Sequence, residues 1–421
     1  MSLVETIKNE DKFILFIYAY VFLMPWNFFK GQMGALTVIL FIWWLIKFRG
    51  VLIIKLKEVL EFKPLVILVI FILYTYISVL WSDPISDGLK HVNQFTKYYF
   101  FLIPILFTSL NKEQAFNSIK LFIISFGSYA VFSFMIYLGL FTIESTGSKS
   151  SNPKGIMAYA IMSTYLAISA IGAFIIAQYQ NTKKLKVLFY MISFISLISL
   201  FINNSRTAQV ALILTIITLI IFSLKNISFK DKKLYIGFAI IIIFLGIVFV
   251  TLQLKNTHNN KYLNAYNELQ EIVNENKYEG SFSLRVYFYK AGFEIIKNNL
   301  IFGMGPEDNI KKLREIQKND PVYTKDNYYS SFHSQHLDIL TRYGLIGYLL
   351  LLISVVFLLY KLRENKKIFY LATSFMLVVF YTSLANVMLI KKPFNYIFIS
   401  VFVLFSIIAY YKQKEEGTSN S

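Results

Sequence analysis

The chain has 421 residues, 56% of them apolar and 18% aromatic, with only 16% charged and a mean hydropathy of +0.55. Charged residues make up about a quarter of an ordinary soluble domain, so this composition excludes that class. Cysteine is absent, which excludes a disulfide framework and any thiolate-bound metal or cluster. The formal charge of +18, from 42 Lys and Arg against 24 Asp and Glu, points to nucleic acid only if the basic residues gather on one binding face.

A bilayer core about 30 Å thick takes roughly 20 apolar helical residues. Twelve charge-free runs approach that length: 13–29, 31–46, 64–82, 98–111, 121–143, 155–182, 187–205, 207–224, 234–254, 343–360, 368–390 and 393–411. The run 31–46 is short, and 98–111 extends backward through Lys97. The pattern predicts an all-α integral membrane protein of about 12 transmembrane helices. Nine fall in residues 1–254 and three in 343–412, with a large loop subdomain at 255–342 and a short tail at 413–421. The first run has no small-residue cleavage site and is followed at once by a second, so it reads as a span and not as a signal peptide.

An even number of spans puts both termini on one side. With that side inside, the inner segments hold 22 Lys and Arg and the short outer loops hold 8, the other 12 lying in 255–342. Cytoplasmic loops retain basic residues, so both termini are expected in the cytoplasm. The net charges are +12 inside, +5 in the outer short loops and +1 in the long segment. Most of the basicity therefore faces an anionic inner leaflet, and no nucleic-acid patch is needed.

The 88-residue segment 255–342 is too long to be an idle connection. Within it, 264–276 reads as an amphipathic helix with Tyr266, Leu269, Ile272 and Val273 on one side. A second helix is expected at 283–297, with Val286, Tyr289, Phe293 and Ile296 on one face. Such helices can lie in the membrane interface or pack as a lid on the bundle.

Three polar features fall on this outer side. Asn203-Asn204-Ser205-Arg206-Thr207 makes a very short turn between two spans, where an arginine alone could simply snorkel to the interface. Arg285 opens a stretch that runs to Gly303-Met304-Gly305, glycines suited to a tight turn or to close backbone approach to a ligand. Ser330 through Gly347 leads into the next span, with Ser330 or Ser331 as its expected helix N-cap and with His333, His336 and Leu340 sharing a face. Two histidines three apart could suggest a metal. There is no His-Glu-x-x-His pattern and no third ligand at useful spacing, so metal: none is the reading.

At these residues the chain resembles the bacterial O-antigen ligase and O-antigen polymerase family of integral-membrane glycosyltransferases. The resemblance rests on an Arg in a Ser-Arg turn (Arg206), a second Arg before a Gly-x-Gly (Arg285, Gly303, Gly305), and a final motif. That motif is His, then Asn, Ser or Gln, then nine residues and Gly-x-x-Gly, and it is matched by His333, Ser334, Gly344 and Gly347. His336 stands where the family often has Tyr, and no Pro precedes Leu300-Ile301-Phe302-Gly303.

The resemblance implies a GT-C-like helical bundle with a membrane-flanking periplasmic subdomain, in the bacterial inner membrane. It implies transfer of a glycan from undecaprenyl pyrophosphate to a hydroxyl of a lipid A–core sugar in lipopolysaccharide biosynthesis, without a cofactor. Polymerisation of carrier-linked repeats is the near alternative, glycosylation of a protein a third, and a flippase a reading from another class. Chemically, departure of a diphosphate calls for fixed cations, and guanidinium groups grip phosphate oxygens in a fork. Arg206 and Arg285 are the candidates, and His333, with an ordinary pKa near 6.5, the base for the attacking hydroxyl. Gly303, Gly305, Ser334, His336 and Lys97 are expected to bind substrate. Lys90, Lys149 and Lys154 are further phosphate contacts in this reading, with Asp83, Asp87 and Asp338 as orienting carboxylates. A single inverting displacement follows as a hypothesis.

Overall fold

The computed structural model describes residues 10–29, 31–223, 229–254, 261–320, 323 and 328–419. Among them are sixteen α-helices, two 3-10 turns and two isolated β-bridges. Every one of the twelve apolar runs is at least partly helical. The first half of the chain gives α1 (Lys12–Leu23), α2 (Gln32–Phe48), α3 (Leu52–Glu61), α4 (Lys63–Ile77), α5 (Ile85–Ser109), α6 (Lys112–Tyr137), α7 (Tyr159–Gln178) and α8 (Lys183–Ile202). The second half gives α9 (Arg206–Ser223), α10 (Phe229–Leu254), α11 (Lys261–Glu275), α12 (Ser283–Asn298), α13 (Asp308–Asn319), α14 (Gln335–Leu362), α15 (Lys366–Ser383) and α16 (Lys392–Ser419).

Length and apolarity qualify six of these as membrane spans: Lys63–Trp81, α6, α7, α8, α14 and Pro393–Glu415 of α16. The pair α2 and α3, bent by 111°, raises the number to seven if it is one broken span. The chain is a multi-pass membrane protein, but the expected twelve spans are met only in part among the described residues. The shortfall has identifiable causes. Pro25 has no N–H to donate and ends α1 after Leu23, leaving an apolar helix of only 12 residues. The apolar stretches of α9 (Arg206–Phe222) and α10 (Ile236–Val248) are also short. The run 98–111 is the second half of α5, whose first half carries Asp87, Lys90, His91 and Lys97. The run 368–390 is helical only to Ser383, and a non-helical segment follows.

The spans α7 and α16 are each 94% buried and form the centre of the bundle, whereas α14 is 22% buried and lies at its edge. Small residues let α7 approach its neighbours closely: a Cβ on Gly172 would stand 2.9 Å from Ile123. Hydroxyls tie the same surface to α8, through Ser169 Oγ and Ser196 Oγ at 3.0 Å and from Ser193 Oγ to the Ala170 carbonyl at 2.7 Å. In an apolar medium such bonds replace the water that a soluble core would border.

The helices α11 to α13 cover one end of this bundle. They have their own apolar cluster, centred on Leu284, Tyr287, Phe288, Ile310, Leu313 and Phe332. The expected helix at 283–297 is present as α12, but its buried face differs from the expected one. Leu284, Tyr287, Phe288, Ile295 and, as expected, Ile296 point inward, whereas Val286 and Phe293 are exposed. α12 is apolar around most of its girth, and the cluster with α13 decides which stripe is covered. On α11, Tyr266, Leu269 and Val273 stay exposed, and Ile272 packs on the cluster.

A break in α14 joins this covering layer to the bundle. Gly344 adopts φ 62° and ψ −165°, a conformation open essentially to glycine alone. The kink releases backbone groups on both sides, and residues 300–305 satisfy them. Met304 N–H donates to the Thr341 carbonyl (2.8 Å) and Gly305 N–H to that of Arg342 (3.0 Å). In return Leu345 N–H donates to the Leu300 carbonyl (2.8 Å) and Ile346 N–H to that of Ile301 (3.3 Å).

Candidate active site

Each of the two expected arginines is placed by a pinned turn or helix end. α8 stops at Ile202, and the chain reverses through Asn203 and Asn204, the latter at φ 53°, a left-handed conformation that asparagine tolerates. Asn203 Nδ2 donates to Ser133 Oγ (2.9 Å) and to the Ser199 carbonyl (2.8 Å), while Tyr159 OH donates to the Asn203 carbonyl (2.6 Å). Arg206 then opens α9, so its charge adds to the positive end of that helix dipole. Arg285 lies in the first turn of α12. Its Nε donates to the Ala385 carbonyl (3.3 Å), and its Nη1 donates to the Ser281 carbonyl and to Ser281 Oγ (2.9 Å). The N-terminus of α12 is closed from α11, where Glu268 Oε2 accepts from Phe282 N–H (2.6 Å) and Ser283 N–H (2.9 Å).

Arg206 and Arg285, distant in sequence, line one cavity of about 750 Å³. Its walls are the α8–α9 turn, the start of α12, and residues Leu384 to Asn386 after α15, with Tyr159, Tyr289, Tyr381 and Glu268 also facing in. Burial and then the Arg206 charge pull the Arg285 pKa below its ordinary value, with Glu268 acting in the opposite sense. The Arg285 guanidinium thus feels the charge of Arg206 across the cavity.

His333 is adjacent but does not itself line the cavity. It precedes α14 at φ 49°, its N–H donating to Ser331 Oγ (3.1 Å). The expected common helical face with His336 is therefore absent. The N-cap is Ser334, whose Oγ accepts from Leu337 N–H (3.4 Å) and lies 3.2 Å from the cavity-lining Tyr289 hydroxyl, and not Ser330 or Ser331. The imidazole stacks on Phe288 (5.4 Å, 15°) and meets the edge of Tyr329. Burial, then the charges of Arg285 and Lys391, lower its pKa, so the ring is held neutral and able to accept a proton.

The other expected site residues lie apart from this cavity. Gly303 and Gly305 do approach a backbone closely, but it is that of Arg342, and a Cβ on Gly303 would also meet Gly344 N at 2.6 Å. His336 spends both ring nitrogens on Tyr348 OH (3.1 Å) and the Phe380 carbonyl (3.0 Å). Lys97 sits midway along α5 with its amine 5.1 Å from the Tyr98 ring. Asp338 pairs with Arg342 (3.0 Å), both 3% exposed, and Arg342 in turn approaches Glu307, which binds His91 Nδ1 at 2.8 Å. Asp83 donates its backbone N–H to Asp308, Asp87 is in the first turn of α5, and Lys90, Lys149 and Lys154 do not line the cavity.

Two residues that contribute here carry no motif. Gln335, 4% exposed, accepts from Met388 N–H (2.9 Å) and Leu389 N–H (2.7 Å) through one oxygen, and its own N–H donates to the Asn386 carbonyl (3.1 Å). It thereby holds the segment whose Ala385 carbonyl receives Arg285. Lys391 ends that segment and adds charge near His333. Beside the cavity runs an apolar groove of about 290 Å³ between α14 and α15, with Tyr381 common to both and His336 at its rim. Among the described residues no group of three or more His, Asp or Glu converges to hold a metal ion.

These features define an all-helical, multi-pass membrane protein with a cationic cavity under a helical cover and an apolar groove alongside. Residues 191–352, from within α8 to within α14, match the family model described as O-antigen ligase. That family suggests a membrane glycosyltransferase-type enzyme. No curated protein matches the sequence.

Proposed function

We propose that the protein is an O-antigen ligase, moving a finished glycan from undecaprenyl pyrophosphate to a hydroxyl of a lipid A–core sugar. One observation supports this above the others: Arg206 and Arg285 share a cavity at the bundle end, with a neutral imidazole next to it. The acceptor oxygen attacks the anomeric carbon as the bond to the diphosphate oxygen breaks. The electron pair leaves with the diphosphate, which Arg206 and Arg285 neutralise, and the hydroxyl proton passes to His333. Fixed cations of this kind contribute on the order of 3 kcal/mol each at a developing charge. The displacement is a single step and inverts the anomeric centre. The apolar groove at Tyr381 suits the isoprenoid tail, which then remains in lipid while its diphosphate meets the arginines.

In this reading the bundle is GT-C-like with about twelve crossings, both termini are cytoplasmic, and residues 255–342 form the periplasmic cover. Residues 255–260, 321–322 and 324–327 lie outside those described. Gln335 and Ser334 act by placing the cavity walls. The test is reconstitution with carrier-linked glycan and lipid A–core acceptor. Arg206→Ala, Arg285→Ala and His333→Ala should each lower transfer by about a hundredfold or more, and full activity in all three would refute the assignment. Elongated carrier-linked glycan with an unmodified core would instead establish the polymerase, and retained anomeric configuration would exclude the single displacement.

A further inference from the structure

At the end of the bundle away from the cavity, two lysines from different helices meet over one ring. Tyr159 at the start of α7 lines the cavity, and Tyr179 caps the other end of that helix, roughly 30 Å along its axis. There Lys120 of α6 holds its ammonium 4.6 Å from the Phe116 ring centroid. Lys367, in the first turn of α15, holds its own 4.5 Å from the same centroid and 5.4 Å from that of Tyr179. The two charges are therefore no more than about 9 Å apart, and both side chains are half-buried.

Aromatic faces attract cations but do not neutralise them. Among the described residues neither ammonium has an ion-pair partner. The carboxylates of Glu415 and Glu364 at this end pair with Lys112 (2.6 Å) and Lys412 (2.9 Å). Glu113, two turns before Lys120 on α6, acts on its charge through space but forms no ion pair with it, and among the described residues Lys120 donates to the neutral Asn117 Oδ1 (3.1 Å). α15 adds to the imbalance: it opens with Lys366 and Lys367 and has no acidic residue in its first turn, although that end of a helix favours negative charge.

We propose that Lys120, Lys367 and the N-terminus of α15 form a binding site for the phosphate headgroup of an anionic membrane phospholipid. The phosphate bridges the two ammonium groups, and the acyl chains stay in the surrounding bilayer. Lys120 lies in the span α6 and Tyr179 at the end of the span α7, so the cations sit where membrane lipid is at hand, which favours a lipid over a soluble anion. The site does not depend on the reaction assigned to the opposite cavity.

Full-length protein in detergent, titrated with phosphatidylglycerol, phosphatidylcholine or inorganic phosphate and read by native mass spectrometry, tests this. Phosphatidylglycerol should bind the wild type and raise its melting temperature more than phosphatidylcholine does. Lys120→Gln with Lys367→Gln should weaken that binding roughly 30-fold, at about 1 kcal/mol per lysine. Lys120→Arg with Lys367→Arg should retain it, and so should Lys311→Gln with Lys312→Gln on α13. Equal binding of the two lipids, or no loss in the Gln pair, would overturn the proposal. So would inorganic phosphate displacing the lipid at equal concentration, which would mark a site for soluble anions. Should the Gln pair fail to fold, the comparison of lipids on the wild type and the Arg pair still decides.

Discussion

Gln335→Leu isolates the part of the site that no motif marks. In the wild type one side-chain oxygen accepts two backbone N–H groups, from Met388 and Leu389, and all three residues are buried. Leucine has similar bulk and no acceptor, so both donors lose their partner in surroundings where water cannot replace it. A buried donor left unpaired costs about 1–3 kcal/mol. At the low end for both, about 2 kcal/mol, opening of residues 384–391 becomes roughly 30-fold more frequent. Opening withdraws the Ala385 carbonyl from Arg285 and the Leu384 carbonyl from Tyr289. Amide hydrogen exchange over 384–391 should therefore quicken by about that factor, and kcat for glycan transfer should fall, with global melting less affected. Gln335→Glu keeps an acceptor and should exchange more slowly than the Leu variant. Equal exchange in wild type and Gln335→Leu would refute the reasoning.

Four further outcomes are expected. His333 is held below the ordinary histidine value by burial and by Arg285 and Lys391, so the neutral base persists at neutral pH and transfer declines only as pH falls below about 6.5. Lys391→Gln removes one positive neighbour, which raises the His333 pKa and moves the acid limb of kcat/KM to higher pH; an unmoved limb would count against His333 as the base. Gly344→Ala places a Cβ against the Ile301 carbonyl and 2.6 Å from Gly303 N in a conformation that alanine avoids, so a loss of at least about 2 kcal/mol is expected and should lower the melting temperature. Asp338→Ala strands the Arg342 guanidinium at 3% exposure, which typically costs about 3–5 kcal/mol, and Glu307 at 3.7 Å keeps the loss toward the lower figure. Thermal unfolding of Asp338→Ala beside Asp338→Asn measures it, the Asn variant being the more stable.

The positions of the helices were legible because an apolar run in this composition has little alternative to helix. Their number as spans was not, since Pro25 and the charged first half of α5 decide how much of each run is one continuous apolar helix. The limits of α12 followed from its periodicity, but its buried face did not, because that depends on α13, which the sequence reading left unassigned. Arg206 and Arg285 stood out as residue types, whereas their convergence is a property of the tertiary fold. Ser330 and Ser331 were as good N-caps on paper as Ser334; the left-handed turn at His333 is what moves the helix start and separates His333 from His336. Gln335 left no signal, because its partners are backbone amides some fifty positions away. Lys391 was visible only as one more outer basic residue.

The broken helix at Gly344 carries an implication for traffic through the cavity. Four main-chain bonds lace residues 300–305 to the two halves of α14, so lifting the roof would rupture all of them together with the Asp338–Arg342 pair. A hinged lid is a poor fit to such stitching. The glycan lipid of the proposed reaction is better admitted by a doorway in the wall, and the apolar groove between α14 and α15 is where the wall parts.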